Sequence, residues 1–370
     1  MRHSPLTVAR HGHASSRAQR LRALWPLCVL VGGLSCERTN QPASASDAAR
    51  TADRDASAGP RLPLVLVADV PWPGGATRFD YQEVDTAQGH LVVAHMNDGA
   101  VVIANLSDGA VVAQLPGIPV VRGLAVADDV GIIFATSSPS QLVLIDNKAL
   151  TEIRRITTGN GPDGVAWDPT HKVVGVSAQG DGALDLIANS GSGMRTQVPL
   201  GTETGNVVFD AGRGWFWITV VKASPPDQLV AVNPTTAKVV TSIGLPGCSG
   251  AHGLRLDPDG QSAFIACESN NMLAHVDLAG SHSVATGPTG SGPDVLSIDP
   301  SLGWLYVAAE SGDLTVFDIT HAGVALIGHD TPGSNSHSVA VDPATHRVFF
   351  PLMTGPQGTP TLRIMRPTGV

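Results

Sequence analysis

The chain has 370 residues, with 23 Lys+Arg against 32 Asp+Glu, only 15% charged residues, and 41 Gly beside 27 Pro. Those proportions exclude collagen, a coiled coil and a polytopic membrane protein, and they fall short of the roughly 25–30% Gly plus Pro of a low-complexity chain. With 42% hydrophobic but only 4% aromatic residues, the core is expected to be built from Val, Ile, Leu and Ala in a chain that turns often.

Residues 1–36 carry Arg2, Arg10, Arg17, Arg20 and Arg22, no acid, and then the apolar run Leu24 to Ser35. That run is too short for a bilayer, which needs about 20 residues. A basic flank ahead of a short apolar stretch is the pattern of a secretory signal peptide. Gly33-Leu34-Ser35-Cys36 resembles a lipobox, although Gly33 stands where Leu is usual, so lipidation of Cys36 and ordinary cleavage just before it both fit. Residues 37–61 are Ala, Ser, Asp and Arg with little to bury and read as a disordered tether; the fold is expected over 62–370. The product would be exported: periplasmic, anchored to the outer membrane as a lipoprotein, or secreted, touching membrane only through an N-terminal lipid. Without residues 1–36 the balance is 18 Lys+Arg against 32 Asp+Glu, a net of −14. That argues against a nucleic-acid partner, which needs a basic footprint.

From residue 79 onward one phrase recurs: FDYQEVD, RGLAVAD, DGVAWDP, GNVVFDA, HGLRLDP, DVLSIDP and HSVAVDP. Aligned on Asp85, Ala127, Asp168, Asp210, Asp257, Asp299 and Asp342, the seven copies step by 42, 41, 42, 47, 42 and 43 residues. A period near 42 is one four-stranded propeller blade. Each unit reads as an alternating strand ending at an Asp that opens a turn, an apolar strand such as AFIAC, a third ending near Asp or Asn such as LAHVD, and a short fourth such as VVTSI. The last copy stops at TLRIM, one strand short, and the run LPLVLVADV ahead of the first copy is free to supply it. The expected fold is all-β, a monomeric seven-bladed β-propeller whose N-terminal strand closes the last blade and so removes exposed edges.

Phrases such as DPDGQSAFIACESNNMLAHVDL and DPSLGWLYVAAESGDLTVFDI resemble the YVTN-type, YncE-like seven-bladed propellers of bacterial envelopes, over roughly residues 62–370. The resemblance implies a fold, not an activity: similar propellers are binding modules, lactone-handling enzymes, lyases or surface proteins.

In such a ring the innermost strands line the central channel. Five residues before each aligned position stand Asp80, Arg122, Asp163, Gly205, His252, Asp294 and His337, six of them ionisable. They are expected to form one ring, joined by residues at the ends of the second strands: His95 and Met96, Cys267 and Glu268, and Glu310. His252, Asp294 and His337 are the candidate ligands of a divalent ion, with Zn favoured by imidazole and Ca, Mg or Mn by oxygen; the alternative is a water-filled polar channel. Asp80, Arg122, Asp163, His95 and Glu310 are candidate ligand-binding residues. Antiparallel pairing of 252–256 with 263–267 is expected to place Cys267 roughly opposite His252 and Cys248 within reach of it, on a chain bound for an oxidising compartment, either as a disulfide or as thiols sharing a metal with His252 and Glu268. His171 and His346 are expected in solvated turns, and Trp215 and Trp217 in the blade core. No GxSxG, HExxH or P-loop is present.

Two functions follow from one set of residues. The first is an exported module that binds a small molecule, an ion or an envelope protein on the channel face. The second is a metal-dependent, lactonase-like hydrolase or lyase, with a cation polarising a carbonyl, Glu268 or Asp163 as general base and Arg122 receiving an anionic group.

Overall fold

A computed structural model describes residues 60–190, 193–321 and 323–369. The signal sequence, Cys36 and nearly all of the tether read from the sequence lie outside these residues. Seven four-stranded antiparallel sheets follow one another along the chain, six of them running from an inner to an outer strand in sequence order. Blade 1, for example, is Gln82–Asp85, His90–His95, Ala100–Asn105 and Val111–Pro116. The expected seven-bladed propeller is therefore the observed architecture.

Burial explains the strand sequences. Second and third strands lie mid-sheet, with other blades covering both faces, so LVVA in blade 1 and FIA in blade 5 are buried without interruption. This is the continuous apolar pattern of strands covered on both sides. Outer strands such as Lys238–Gly244 are mostly exposed, with only Ile243 buried in that one. The core is accordingly a set of slices between neighbouring blades: Trp217, Ile243, Leu254, Ile265 and Val276 pack blade 4 on blade 5.

The aligned aspartates have a common task. The Oδ1 of Asp85 accepts from the Gln88 amide at 2.8 Å, that of Asp168 from Thr170 at 2.8 Å, and that of Asp342 from Ala344 at 3.1 Å. Each caps its turn through one oxygen. The second oxygen, when buried, needs its own donor. His171 supplies it to Asp168 and His346 to Asp299, both at 2.7 Å through Nδ1. These two histidines are thus not simply solvated turn residues, and His346 ties the blade 7 turn to blade 6.

The N-terminal strand Leu64–Pro71 pairs antiparallel with Thr361–Pro367, from Leu64 opposite Pro367 to Pro71 opposite Thr361. It is the outer strand of blade 7, as the missing fourth strand of the last repeat requires. Arg363 grips Asp69 with two hydrogen bonds of 2.8 Å, and the Trp72 indole donates to the Gly109 carbonyl of blade 1 at 2.9 Å.

Candidate functional site at the channel mouth

The inner strands are irregular where they matter. Pairing with the second strand skips between Val121 and Leu124, Pro162 and Val165, Thr204 and Val207, and Ala251 and Leu254. Each skip is a bulge, which bends a strand and re-aims a side chain. The bulged pairs are Arg122-Gly123, Asp163-Gly164, Gly205-Asn206 and His252-Gly253. Asp294 occupies a smaller skip in blade 6. Bulging brings neighbouring inner strands very close: a Cβ on Gly253 would collide with the carbonyl oxygen of Asp294, and one on Gly123 with that of Asp163. Glycine after the ring residue is what lets the ring contract. The small hydroxyls opposite the bulges complete it, with Thr136 Oγ1 donating to the Asp163 carbonyl and Thr219 Oγ1 to that of His252, both at 2.7 Å.

The resulting cup holds about 280 Å³ and is lined by Asp80, Arg122, Asp163, His252, Glu268, Asp294 and Glu310, with Arg78, Tyr81, Met96 and Gln179. His337 lies in the wall against Asp80 and Asp294. Thus the ring positions counted from the repeat do converge. His252 Nε2 is 3.2 Å from Asp163 Oδ2 and 3.6 Å from Asp294 Oδ1. Burial alone would lower the His252 imidazole, but the hydrogen bond and charge of Asp163, with Asp294 and Glu268, push it up to about 10. Burial works against the Asp163 carboxylate too, yet His252 and both arginines hold it below the usual range. Asp80 goes the other way: burial and the charges of Asp294 and Asp163 raise it well above an ordinary carboxyl. Glu268, exposed at the mouth, is raised by partial desolvation ahead of the charges of Asp294 and Glu310.

Several contributors escaped the sequence reading. Arg78 clamps Glu310 with hydrogen bonds of 2.9 and 2.6 Å and stands 3.9 Å from Asp294. Gln179 accepts from Arg122 at 2.8 Å and donates to Glu203 at 2.9 Å. It follows the second strand of blade 3 as Met96, Glu268 and Glu310 follow theirs, so the repeat alignment contained its signal. Tyr81 did not announce itself. Its hydroxyl reaches from blade 1 across the channel, donating to Asp294 Oδ1 at 3.1 Å and accepting from the Asn206 side chain.

Two expectations change. His95 does not line the cup: it is fully buried, stacked on Phe79 with ring centroids 4.0 Å apart, and its Nε2 lies 3.0 Å from Thr77 Oγ1. Its direction follows from the strand alternation that sends Met96 inward instead. Cys267 stands opposite Ala251 rather than His252, because the bulge shifts the register by one. The two cysteines form a disulfide with Cα atoms 5.2 Å apart, so they are not thiolate ligands. It pins the loop before the blade 5 inner strand beside the mouth.

Burial lowers the His95 imidazole below its ordinary 6.5, against the opposing pull of Asp98. The unfolded chain therefore binds this proton more readily, and stability from His95 falls as the pH drops below about 6.5. A His95→Gln variant should show a flatter dependence of its urea midpoint between pH 7 and 5 than the parent. Parallel curves would mean that His95 is not held neutral.

No family model matches the chain, and no curated protein matches it. Among solved structures, hydrazine synthase from Kuenenia stuttgartiensis superposes with a TM-score of 0.67 at 15% identity, covering 80% of this chain and 96% of that one. At that identity the likeness is one of fold: the chain is similar to that protein as a propeller.

Proposed function

We propose that the chain is an exported, YncE-like propeller of the cell envelope that captures a small cationic ligand in the cup at its channel mouth. The observation that carries this is the charge of the cup. The five acids Asp80, Asp163, Glu268, Asp294 and Glu310 outnumber the three cations Arg78, Arg122 and His252, and Arg78 is engaged by Glu310 and His252 by Asp163. A walled cleft with an excess of one sign focuses its field on an incoming counter-ion, and the charges of Asp294 and Asp163 add to burial in raising the Asp80 carboxyl. A disulfide beside the mouth supports export to an oxidising compartment. For the lactonase-like alternative, Asp163 is a weak base because His252 and the arginines lower its affinity for a proton, which leaves Glu268, whose affinity is raised, for that role.

The test is a thermal-shift titration of the full chain with tetramethylammonium, agmatine and divalent metal chlorides against sodium phosphate. Cations should raise the melting temperature, by an amount equivalent to about 2.7 kcal/mol at a hundredfold excess over Kd, and a Glu268→Gln, Glu310→Gln double variant should respond less. A phosphate response with none to any cation would overturn the reading.

A further inference from the structure

We propose that Asp80, Asp294 and His337 bind one divalent transition-metal ion, Zn²⁺ in the first instance, in the wall of the cup. This rests on the reading above and names the cation and its donors. The three residues come from blades 1, 6 and 7, which are neighbours once the ring has closed. One donor atom from each lies within 4.8 Å of the other two. Tetrahedral donors at about 2.0–2.2 Å from one ion lie roughly 3.3–3.6 Å apart, so side-chain shifts of under about 1 Å complete the set.

The second observation is independent of the acids. His337 is 3% exposed, and its Nε2 is buried without any hydrogen-bond partner. A buried, unpartnered ring nitrogen calls for an explanation. The ring also lies against the backbone of Phe79, which favours its protonated form. A neighbouring group beside one ring nitrogen, with the other left unpartnered, is the environment of a metal-ligating histidine. Asp294 is oriented by the Tyr81 hydroxyl, itself held by Asn206. Arg78 does not displace the ion from Asp294, because its two short hydrogen bonds go to Glu310.

The donor set selects the metal. Ca²⁺ takes six to eight oxygens and Mg²⁺ an octahedron of oxygens and water, whereas one imidazole with two carboxylates suits Zn²⁺. Three protein donors beside an open cup leave a coordination position for water or an incoming ligand. His252, which the repeat spacing grouped with Asp294 and His337, is replaced in the set by Asp80, because it is the ion-pair partner of Asp163.

The experiment is equilibrium dialysis of the full chain, purified without a metal-affinity tag, against ZnCl₂ at pH 7, repeated with His337→Gln, Asp80→Asn and, as controls outside the cup, His171→Gln in the blade 3 turn and His275→Gln, which stacks on Phe264 in blade 5. Circular dichroism checks that each variant is folded, and Co²⁺ absorption provides a second readout on the parent and His337→Gln. One equivalent of Zn²⁺ is expected, weakened at least tenfold by His337→Gln and by Asp80→Asn and unchanged by the controls, with the Co²⁺ ligand-field bands lost in His337→Gln. Zn²⁺ binding that ignores both site variants would overturn the assignment. Capture of organic cations without Zn²⁺ would sink the metal site and leave the functional reading standing, whereas no binding of any cation would end both.

Discussion

Deleting residues 62–72 from the full chain is expected to cost on the order of 5 kcal/mol or more and to make the protein self-associate. Leu64 and Trp72 are 8% and 4% exposed. Burying a side chain like Leu64 contributes roughly 1.5–3 kcal/mol, and truncating a buried Trp costs about 3–5 kcal/mol. The deletion also strips Thr361–Pro367 of its antiparallel neighbour and Arg363 of Asp69. A bare strand edge is a template for pairing with another chain. The urea midpoint and a sizing column read the two effects. A midpoint equal to the parent's, with a monomer on the column, would show that the strand does not close the ring.

Asp163→Ala is expected to destabilise the protein by about 3–5 kcal/mol, the range for removing one partner of a buried ion pair. Asp163 is 2% exposed and faces His252 at 3.2 Å. The substitution leaves an imidazolium whose remaining close acid, Asp294, stands 3.6 Å away and already accepts from Tyr81. The cost comes from stranding the charge, so a double-mutant cycle isolates it. Asp163→Asn and His252→Gln should each destabilise, and the double variant should be markedly less damaged than their sum. Additive losses would mean that the two side chains act separately and that the cup is organised by something else. Because Thr136 bonds the Asp163 carbonyl rather than its carboxylate, the Asn and Ala substitutions leave that tie intact.

The same cup shows how far repetition carries an argument. A period near 42, with an Asp at each turn, is legible because every blade solves one packing problem, and the missing fourth strand of the last unit is legible because a ring must close. Counting five residues back from Asp299 or Asp342 finds Asp294 and His337 because equivalent positions in equivalent blades face one axis. Gln179 was reachable by the same counting. Tyr81 was not, because a contact from blade 1 to blades 4 and 6 crosses the symmetry that the repeat expresses.

The linear pattern by itself determined the blade count, the strand-swapped closure, the proximity of Cys248 to Cys267 and which residues share the ring. Only the tertiary structure decided their partners: His252 with Asp163, Arg78 with Glu310, and His337 beside Asp80 and Asp294. It also turned His95 into the blade and shifted Cys267 opposite Ala251. The reason is physical. Periodicity places a Cα on a strand, but a bulge of one residue, the rotamer it permits and the nearest opposite charge across the channel settle where the side chain goes.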